Sequence, residues 1–375
     1  MGYWDDPSNM VGNSLQESTN PYGNYTVVDR VPREILSLVD DHWYQFPPMN
    51  PLWYSLVGVW MFIMGTLAVS GNFVVIWVFM CTKSLRSPSN MYVVSLAVSD
   101  FFMMACMCPP ILINCYYQMW SFSAVFCQVY AAIGSTMGTA SIWAMVLITS
   151  DRYNVIVKGI SGTPLTTNRA LLNILVVVWV KTLFWTILPF FGFCRYVPEG
   201  NMTACGTDYL TDDIWYHIYL WLYTIDCYLL PLALIIYDYT FILKAVSAHE
   251  KQMREQAKKM GVKSLRSDPD AKKKSNECRL AKVALTTVSL WFIAWTPYCI
   301  INIAGMHYKS IVTPLFSIWG SVFAKANAVY NPIIYAISHP KYRAAMEKKL
   351  PCLSCATEKE EDSSVSETTS TNEKC

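Results

Sequence analysis

The sequence predicts an all-α membrane protein: a seven-transmembrane helix bundle followed by a short cytoplasmic amphipathic eighth helix. Three observations carry that prediction. Of the 375 residues, 53% are hydrophobic and only 15% charged, where a soluble domain carries about 25% charged residues. The apolar residues gather in seven runs, each longer than the roughly 18 residues that cross a hydrocarbon core of about 30 Å. The charges lie between the runs, and their sign alternates from loop to loop.

Residues 1–51 hold seven acidic and two basic residues among scattered Gly, Pro and Asn. They read as a solvated tail, with Asn24-Tyr25-Thr26 as a glycosylation acceptor. The region lacks a positively charged start followed by an apolar core, so no secretory signal is expected and the first span drives insertion. The spanning domain, 52–337, comprises Leu52 to Cys81, Asn90 to Tyr117, Ala124 to Val157, Ala170 to Cys194, Ile214 to Ala245, Ala281 to Met306, and Val312 to Ile337. A count of six follows only if the fourth run, interrupted by Lys181, fails to insert. In residues 338–350, Tyr342, Met346 and Leu350 recur every four residues while basic residues fill the other face, the pattern of a surface-lying amphipathic helix. Cys352 and Cys355 just beyond it are placed for palmitoylation. Within residues 351–375, the stretch from Glu358 to Cys375 is acidic and Ser/Thr-rich, a disordered tail by composition.

Orientation follows from the basic residues. Lys244 to Lys282 holds twelve Lys/Arg against five Asp/Glu, with Lys83, Arg86, Lys158 and Arg169 on the same side. The opposite side has Arg195 with Glu199, Asp208, Asp212 and Asp213, plus the acidic first segment. The N-terminus is therefore expected outside and the C-terminus inside. The net charge of +2 says nothing about nucleic acid, because the charges are segregated rather than basic overall; membrane lipid is an expected partner and nucleic acid is not. Most of the thirteen cysteines sit in apolar runs and read as small buried hydrophobes.

One residue violates the apolar pattern in an informative way. Lys325 sits near the middle of the last run, and a bare ammonium inside a membrane is expensive, so such a lysine marks a functional site. Condensing its amine with a carbonyl is the least costly way to keep it, because desolvated lysines form Schiff bases readily. Six residues on, Asn331-Pro332-Ile333-Ile334-Tyr335 gives the same helix a polar, breakable turn roughly 9 Å away.

These landmarks resemble the rhodopsin-class G-protein-coupled receptors, and among them the arthropod visual opsins of the rhabdomeric type. The resemblance covers essentially the whole chain. It rests on Gly71-Asn72, Leu96-Ala97 leading to Asp100, Asp151-Arg152-Tyr153, Trp179, Pro231 with Tyr239, Trp295-Thr296-Pro297-Tyr298, Asn331-Pro332 to Tyr335, and His339-Pro340-Lys341-Tyr342-Arg343. Each motif alone is weak; all in order, with Lys325 six residues before Asn331, are specific.

The resemblance implies that Lys325 binds 11-cis-retinal as a protonated Schiff base. A buried iminium needs a nearby negative charge to hold its proton. The vertebrate position for that charge, three residues after Cys127, is Tyr130 here. Glu199, six residues before Cys205, matches the rhabdomeric counterion position; Asp208, Asp212 and Asp213 lie further along the loop. A Cys127–Cys205 disulfide, the family pattern, would pin this loop over the pocket, although by sequence alone Cys194 competes for the pairing. Asn201-Met202-Thr203 is a second sequon, awkwardly placed if the loop is pressed down. Tyr130, Gly134, Trp295 and Tyr298 are expected around the ligand. Met107, seven residues after Asp100, stands where ultraviolet-sensitive arthropod pigments carry Lys, which favours a visible-light pigment.

Asp100, Asn72, Asn327 and Asn331 are the polar residues expected inside the bundle, holding waters or a sodium ion. An Arg152–Glu277 latch, next to Asp151 and Tyr153, is expected to open on activation. The implied partners are a Gq-type G protein meeting the basic segment Lys244 to Lys282, and a receptor kinase and arrestin acting on Ser363, Ser364, Ser366, Thr368, Thr369, Ser370 and Thr371. The implied location is the plasma membrane of rhabdomeric microvilli. No enzyme activity is expected. A receptor for a diffusible amine needs an Asp where this chain has Gly134. A retinal photoisomerase, the alternative, needs no Asp151-Arg152-Tyr153. A retinal-driven pump needs carboxylates on the third helix, and none lies between Cys127 and Asp151. Lys181 and Asp226, also inside spans, either pair or let Lys181 snorkel.

Overall fold

The computed structural model describes residues 25–159, 162–259, 269–338 and 340–350. Helix α1 is Pro51–Cys81, α2 Pro88–Tyr117, α3 Ala124–Tyr153 and α4 Thr167–Phe191. Helix α5 runs from Ile214–Thr224 through a π-helical turn, Ile225–Leu229, into Leu230–Lys259. Helix α6 is Pro269–His307. Helix α7 consists of Pro314–Ala326 and Tyr330–Ser338, joined by a 3-10 turn at Asn327–Val329, and α8 is Pro340–Lys349. Six of these helices are individually long and apolar enough to cross a membrane. The seventh segment, Pro314–Ser338, is interrupted by the 3-10 turn and carries Lys325, Asn327 and Asn331 in its middle, which lowers its hydropathy.

Local chemistry starts the helices where expected. Asn50, Ser87, Ser123, Thr166, Asp213 and Thr313 each accept a backbone N–H of the first turn, and proline follows at once in α1, α2 and α7. These are N-cap and N1 preferences at work. Large apolar side chains such as Phe62, Leu172 and Ile293 face outward, a surface suited to lipid and unsuited to water.

The break in α7 has a specific cause. Pro332 has no N–H, so the Ala328 carbonyl four residues earlier loses its helical donor. Asn72 of α1 supplies one instead, its Nδ2 donating to Ala328 O at 2.8 Å. A side chain at Gly71 would meet the Pro332 ring at 2.9 Å, so glycine there lets α1 come close enough.

Between α4 and α5, strands β1 (Tyr196–Glu199) and β2 (Ala204–Thr207) form an antiparallel hairpin pairing Tyr196 with Thr207 and Glu199 with Ala204. Every residue of both strands is buried. The Cys127–Cys205 disulfide ties β2 to the start of α3, and Cys194, the competitor, is a buried free thiol. At the turn Gly200 has a φ of +66°, and its backbone lies against Pro314 and Ile318 of α7.

One expectation is corrected here. From Thr26 onward the first segment is folded, not a solvated tail. Val27 N–H donates to Phe46 O at 3.0 Å, and 3-10 turns at Arg33–Leu38 and Asp41–Gln45 bury Ile35 and Trp43 in the same core as the hairpin. His42 Nε2 lies 2.7 Å from Val312 O, linking this layer to α7. Helix α8 packs as an amphipathic helix: Tyr342 is buried and stacks on Phe79 of α1, with ring centroids 5.4 Å apart.

Candidate functional site

Beneath the hairpin lies a cavity walled by α3, α5, α6, α7 and the hairpin itself, with Met103 and Met107 contributed by α2. Most of its wall is apolar or aromatic, and Ser321, Glu199 and Lys325 are among its polar exceptions. Helix α7 places Lys325 near the end of its first regular stretch, two residues before the 3-10 turn. Its Nζ donates to Ser321 Oγ at 2.5 Å and to Ser321 O at 3.3 Å, and the residue is 8% exposed.

Glu199, the last residue of β1, is 1% exposed and reaches the same cavity. Tyr298 donates to its Oε2 at 3.2 Å, while Oε1 is buried without a hydrogen-bond partner among the described residues. Burial raises the Glu199 carboxyl above its ordinary value; the positive charge of Lys325 opposes that shift, as do Ser321, Tyr298 and Tyr209. An orphaned carboxylate oxygen in an apolar cavity is costly unless a cation comes within its reach. Two of the other loop acids are engaged elsewhere. Asp208 receives two hydrogen bonds from Arg195, at 2.9 and 2.8 Å, and Asp213 caps α5.

Of the pocket residues expected from sequence, Gly134, Trp295 and Tyr298 line the cavity with Met107. Tyr130 does not. It lies one turn nearer the start of α3, buried edge-on against Trp120 at 5.3 Å, and its hydroxyl has no partner. Asn201 of the second sequon is fully buried, with Oδ1 accepting from Thr203, the awkward placement expected of a loop pressed over the cavity.

Several site residues escaped the sequence reading. A Cβ at Gly206 would lie 2.6 Å from Glu199 Oε2, so glycine there makes room for the carboxylate. A Cβ at Gly138 would collide with the Trp295 ring, so this glycine gives the indole its seat. Ser321 and Tyr209, whose hydroxyl lies 2.9 Å from Ser317 Oγ, complete the polar cluster. The Ser317–Ser321–Lys325 spacing of four residues was the available signal for a shared helix face.

Toward the far end of the bundle, Asn331 Nδ2 donates to Asp100 Oδ2 at 2.6 Å. Buried oxygens of Asn72, Asp100, Asn327 and Asn331 have no partner among the described residues. Such groups call for ordered water. Arg152 is buried and paired with the neighbouring Asp151. Tyr153 packs against Tyr237 and Phe241 of α5, and Tyr335 is buried. The Glu277 side chain, Asn24, His339, Cys352, Cys355 and the C-terminal Ser/Thr cluster lie outside the described residues. Lys181 and Asp226 pair at 2.7 Å, with Lys181 Nζ 3.2 Å above the Trp143 ring.

A buried lysine and a buried carboxylate thus face one aromatic cavity inside the helix bundle. The profile described as "7 transmembrane receptor (rhodopsin family)" matches residues 71–335. A rhodopsin of Procambarus clarkii is 60% identical over 372 residues, covering 99% of this chain and 98% of that one. A rhodopsin of Camponotus atriceps is 59% identical over 352 residues, covering 94% and 93%. The crystal structure of squid rhodopsin superposes with a TM-score of 0.79 at 32% identity, covering 88% of this chain and 94% of that one. The chain belongs to the rhodopsin family of seven-transmembrane receptors, among the arthropod rhodopsins and opsins. It is a membrane protein and a receptor, not an enzyme.

Proposed function

We propose that the chain is a light-activated receptor that holds retinal, in the 11-cis form at rest, as a protonated Schiff base on Lys325, with Glu199 as counterion. The observation that carries this reading is the meeting of a buried lysine and a buried, half-satisfied carboxylate in one aromatic cavity. The residues fit the group: the wall is largely apolar, and Glu199 supplies a negative charge for a fixed cation. Bound there, retinal supplies the absorption of a photon and the change from cis to trans geometry.

The chain's own residues then have assignable roles. Lys325 anchors, and Glu199, held by Tyr298, balances the charge. Trp295, seated on Gly138 and stacked on Trp291 at 5.3 Å, bears on α6. Pro297 lies inside α6 and removes a backbone donor there, which makes it the natural bending point. The resting ligand favours the closed bundle and its photoproduct the open one, a population shift. Opening releases Arg152, through a latch with Glu277, and exposes the face bearing the basic segment before α6. A Gq-type G protein is the proposed partner, with receptor kinase and arrestin for shut-off. A loop carboxylate as counterion accords with bistable behaviour, and Met107 with visible-light absorption. The N-terminus is proposed outside, the C-terminus inside, and the plasma membrane of photoreceptor microvilli is the proposed location, with palmitate on Cys352 and Cys355 and a glycan on Asn24.

The test is reconstitution of the full chain with 11-cis-retinal. A visible absorption band, its loss in Lys325→Ala, and light-dependent nucleotide exchange on a Gq-type G protein are expected. Exchange that is equally fast in darkness, or a pigment that activates nothing, counts against it.

A further inference from the structure

Two of the chain's five histidines meet at the hairpin end of the bundle, away from the residues that line the cavity. His217 lies in the first turn of α5, its backbone N–H donating to Asp213 O at 3.0 Å. His307 is the last residue of α6. Their ring centres stand 6.1 Å apart with the planes tilted by 53°. Trp221, one turn further along α5, packs its ring 5.9 Å from that of His307 and gives the pair an aromatic floor. The end of α6 is fixed against the hairpin segment. Thr207 donates to Asn302 Oδ1 at 2.9 Å, and a side chain at Gly305 would collide with the Tyr209 ring. The two imidazoles are therefore brought together by anchored backbone on both sides.

Simple packing does not account for His217. Its Nε2 is buried and has no hydrogen-bond partner among the described residues, an arrangement that costs free energy in a folded protein. His42, at the same end of the molecule, shows the ordinary alternative: its Nε2 lies 2.7 Å from Val312 O and its Nδ1 2.8 Å from Gln45 Nε2. No carboxylate of the described residues forms an ion pair with His217 or His307. A neutral imidazole nitrogen with nothing to bond is the commonest ligand of transition metals. With metal–nitrogen bonds of about 2.0–2.1 Å and a ring nitrogen about 1.2 Å from its ring centre, two imidazoles on one ion have centres roughly 5.3 Å apart at a tetrahedral angle and about 6.5 Å apart when opposed. The observed 6.1 Å falls inside that range. His217 is half-buried and His307 exposed, so an ion has a way in and water has room to complete its coordination.

We propose that His217 and His307 form a two-histidine site for a divalent transition-metal ion of the Zn2+ class, which ties the start of α5 to the end of α6. The donor set selects the ion: imidazoles suit Zn2+, Cu2+ and Ni2+, whereas Mg2+ and Ca2+ require oxygen ligands. Among the described residues no group of three or more His, Cys, Asp and Glu side chains is placed to hold a metal. The site therefore has two protein ligands, and its affinity is modest and reversible rather than that of a closed structural centre. Because the ligands come from different helices, the ion binds the arrangement in which the two ends are together and stabilises it. The inference stands apart from the reading of Lys325 and needs no chromophore.

The experiment uses the full chain, without a polyhistidine tag and without retinal, titrated with Zn2+ alone. Calorimetry at neutral pH is expected to show a site of one-to-one stoichiometry that is lost in His217→Ala and in His307→Ala, and Zn2+ should raise the thermal unfolding temperature of the parent but of neither variant. Mg2+ should do neither. Binding is expected to weaken as pH falls through the range in which imidazoles take up protons, since protons and metal compete for the same nitrogens. His307→Cys, which replaces one metal ligand by another, should restore binding. His307 is exposed, so its substitution leaves the fold intact and keeps the test decisive even if His217→Ala does not fold. Cu2+ supplies a second readout: its electron paramagnetic resonance should report two nitrogen ligands in the parent and one in His307→Ala. A folded parent that binds no Zn2+, or Zn2+ binding and thermal stabilisation that persist unchanged in His307→Ala, overturns the proposal.

Discussion

The smallest change that reaches the charge pair without touching either partner is Gly206→Ala. The added methyl would lie 2.5 Å from the Tyr298 hydroxyl and 2.6 Å from Glu199 Oε2. Ordinary carbon contacts begin at about 3.4 Å, so the carboxyl must retreat by roughly 0.8 Å. Tyr298 is pushed by the same methyl, and their hydrogen bond is already 3.2 Å long, so it does not survive. A buried hydrogen bond to a charged group is worth about 1.5–3 kcal/mol, and overpacking adds about 1–3 kcal/mol. Partial relaxation of the hairpin brings the expected loss to about 2–4 kcal/mol. Thermal denaturation of the ligand-free protein measures that loss, and the absorption spectrum of the reconstituted pigment shows whether Glu199 has moved. A variant with the parent's spectrum and a stability within about 0.5 kcal/mol would refute the placement of Glu199 against Gly206.

Lys181→Met leaves Asp226 uncompensated; breaking a buried pair costs about 3–5 kcal/mol. Discounted for the 29% exposure of the Lys181 side chain, the expected loss is about 2 kcal/mol. Lys181→Met with Asp226→Leu should recover most of it, and equal losses in the single and double variants would count against a pair. Burial raises the Glu199 carboxyl above its ordinary 4.5. Above that value the folded, ligand-free protein keeps a proton that the unfolded chain has lost. Stability should therefore fall as pH rises from about 4.5 through the raised value, and thermal unfolding of Glu199→Gln across the same range should lack that slope. The Cys194 thiol is pushed up to about 12 by burial, so maleimide at neutral pH should label exposed Cys81 in the folded protein and Cys194 only after denaturation.

Much of this architecture is legible in the residues because a membrane imposes a strong grammar. Seven apolar runs, the alternating loop charges and a lysine amid one run announce the bundle and its reactive centre. The pairing of Asn72 with the carbonyl freed by Pro332 follows from the same logic that makes proline a break. The fold of residues 26–46 was hidden because its apolar side chains sit on short 3-10 turns, with neither helical nor strand periodicity, in a polar context. Tyr130 was misplaced because helical spacing puts it on the same face as Gly134 without revealing that Trp120 covers it. Gly206, Gly138 and Ser321 act through contacts made only after the hairpin and helices converge, and a lone glycine or serine carries no mark of that in sequence. Lys181 and Asp226 were visible as anomalies, but only the packing of α4 against α5 and Trp143 makes them a pair.

The account depends most on a bond at one nitrogen. Incubation of the full chain with 11-cis-retinal, reduction with borohydride and peptide mass spectrometry should find the retinyl mass on the peptide containing Lys325, in one-to-one amount and absent from Lys325→Ala. An unmodified Lys325 peptide from a protein that has taken up the chromophore, or the adduct on another lysine, would contradict it.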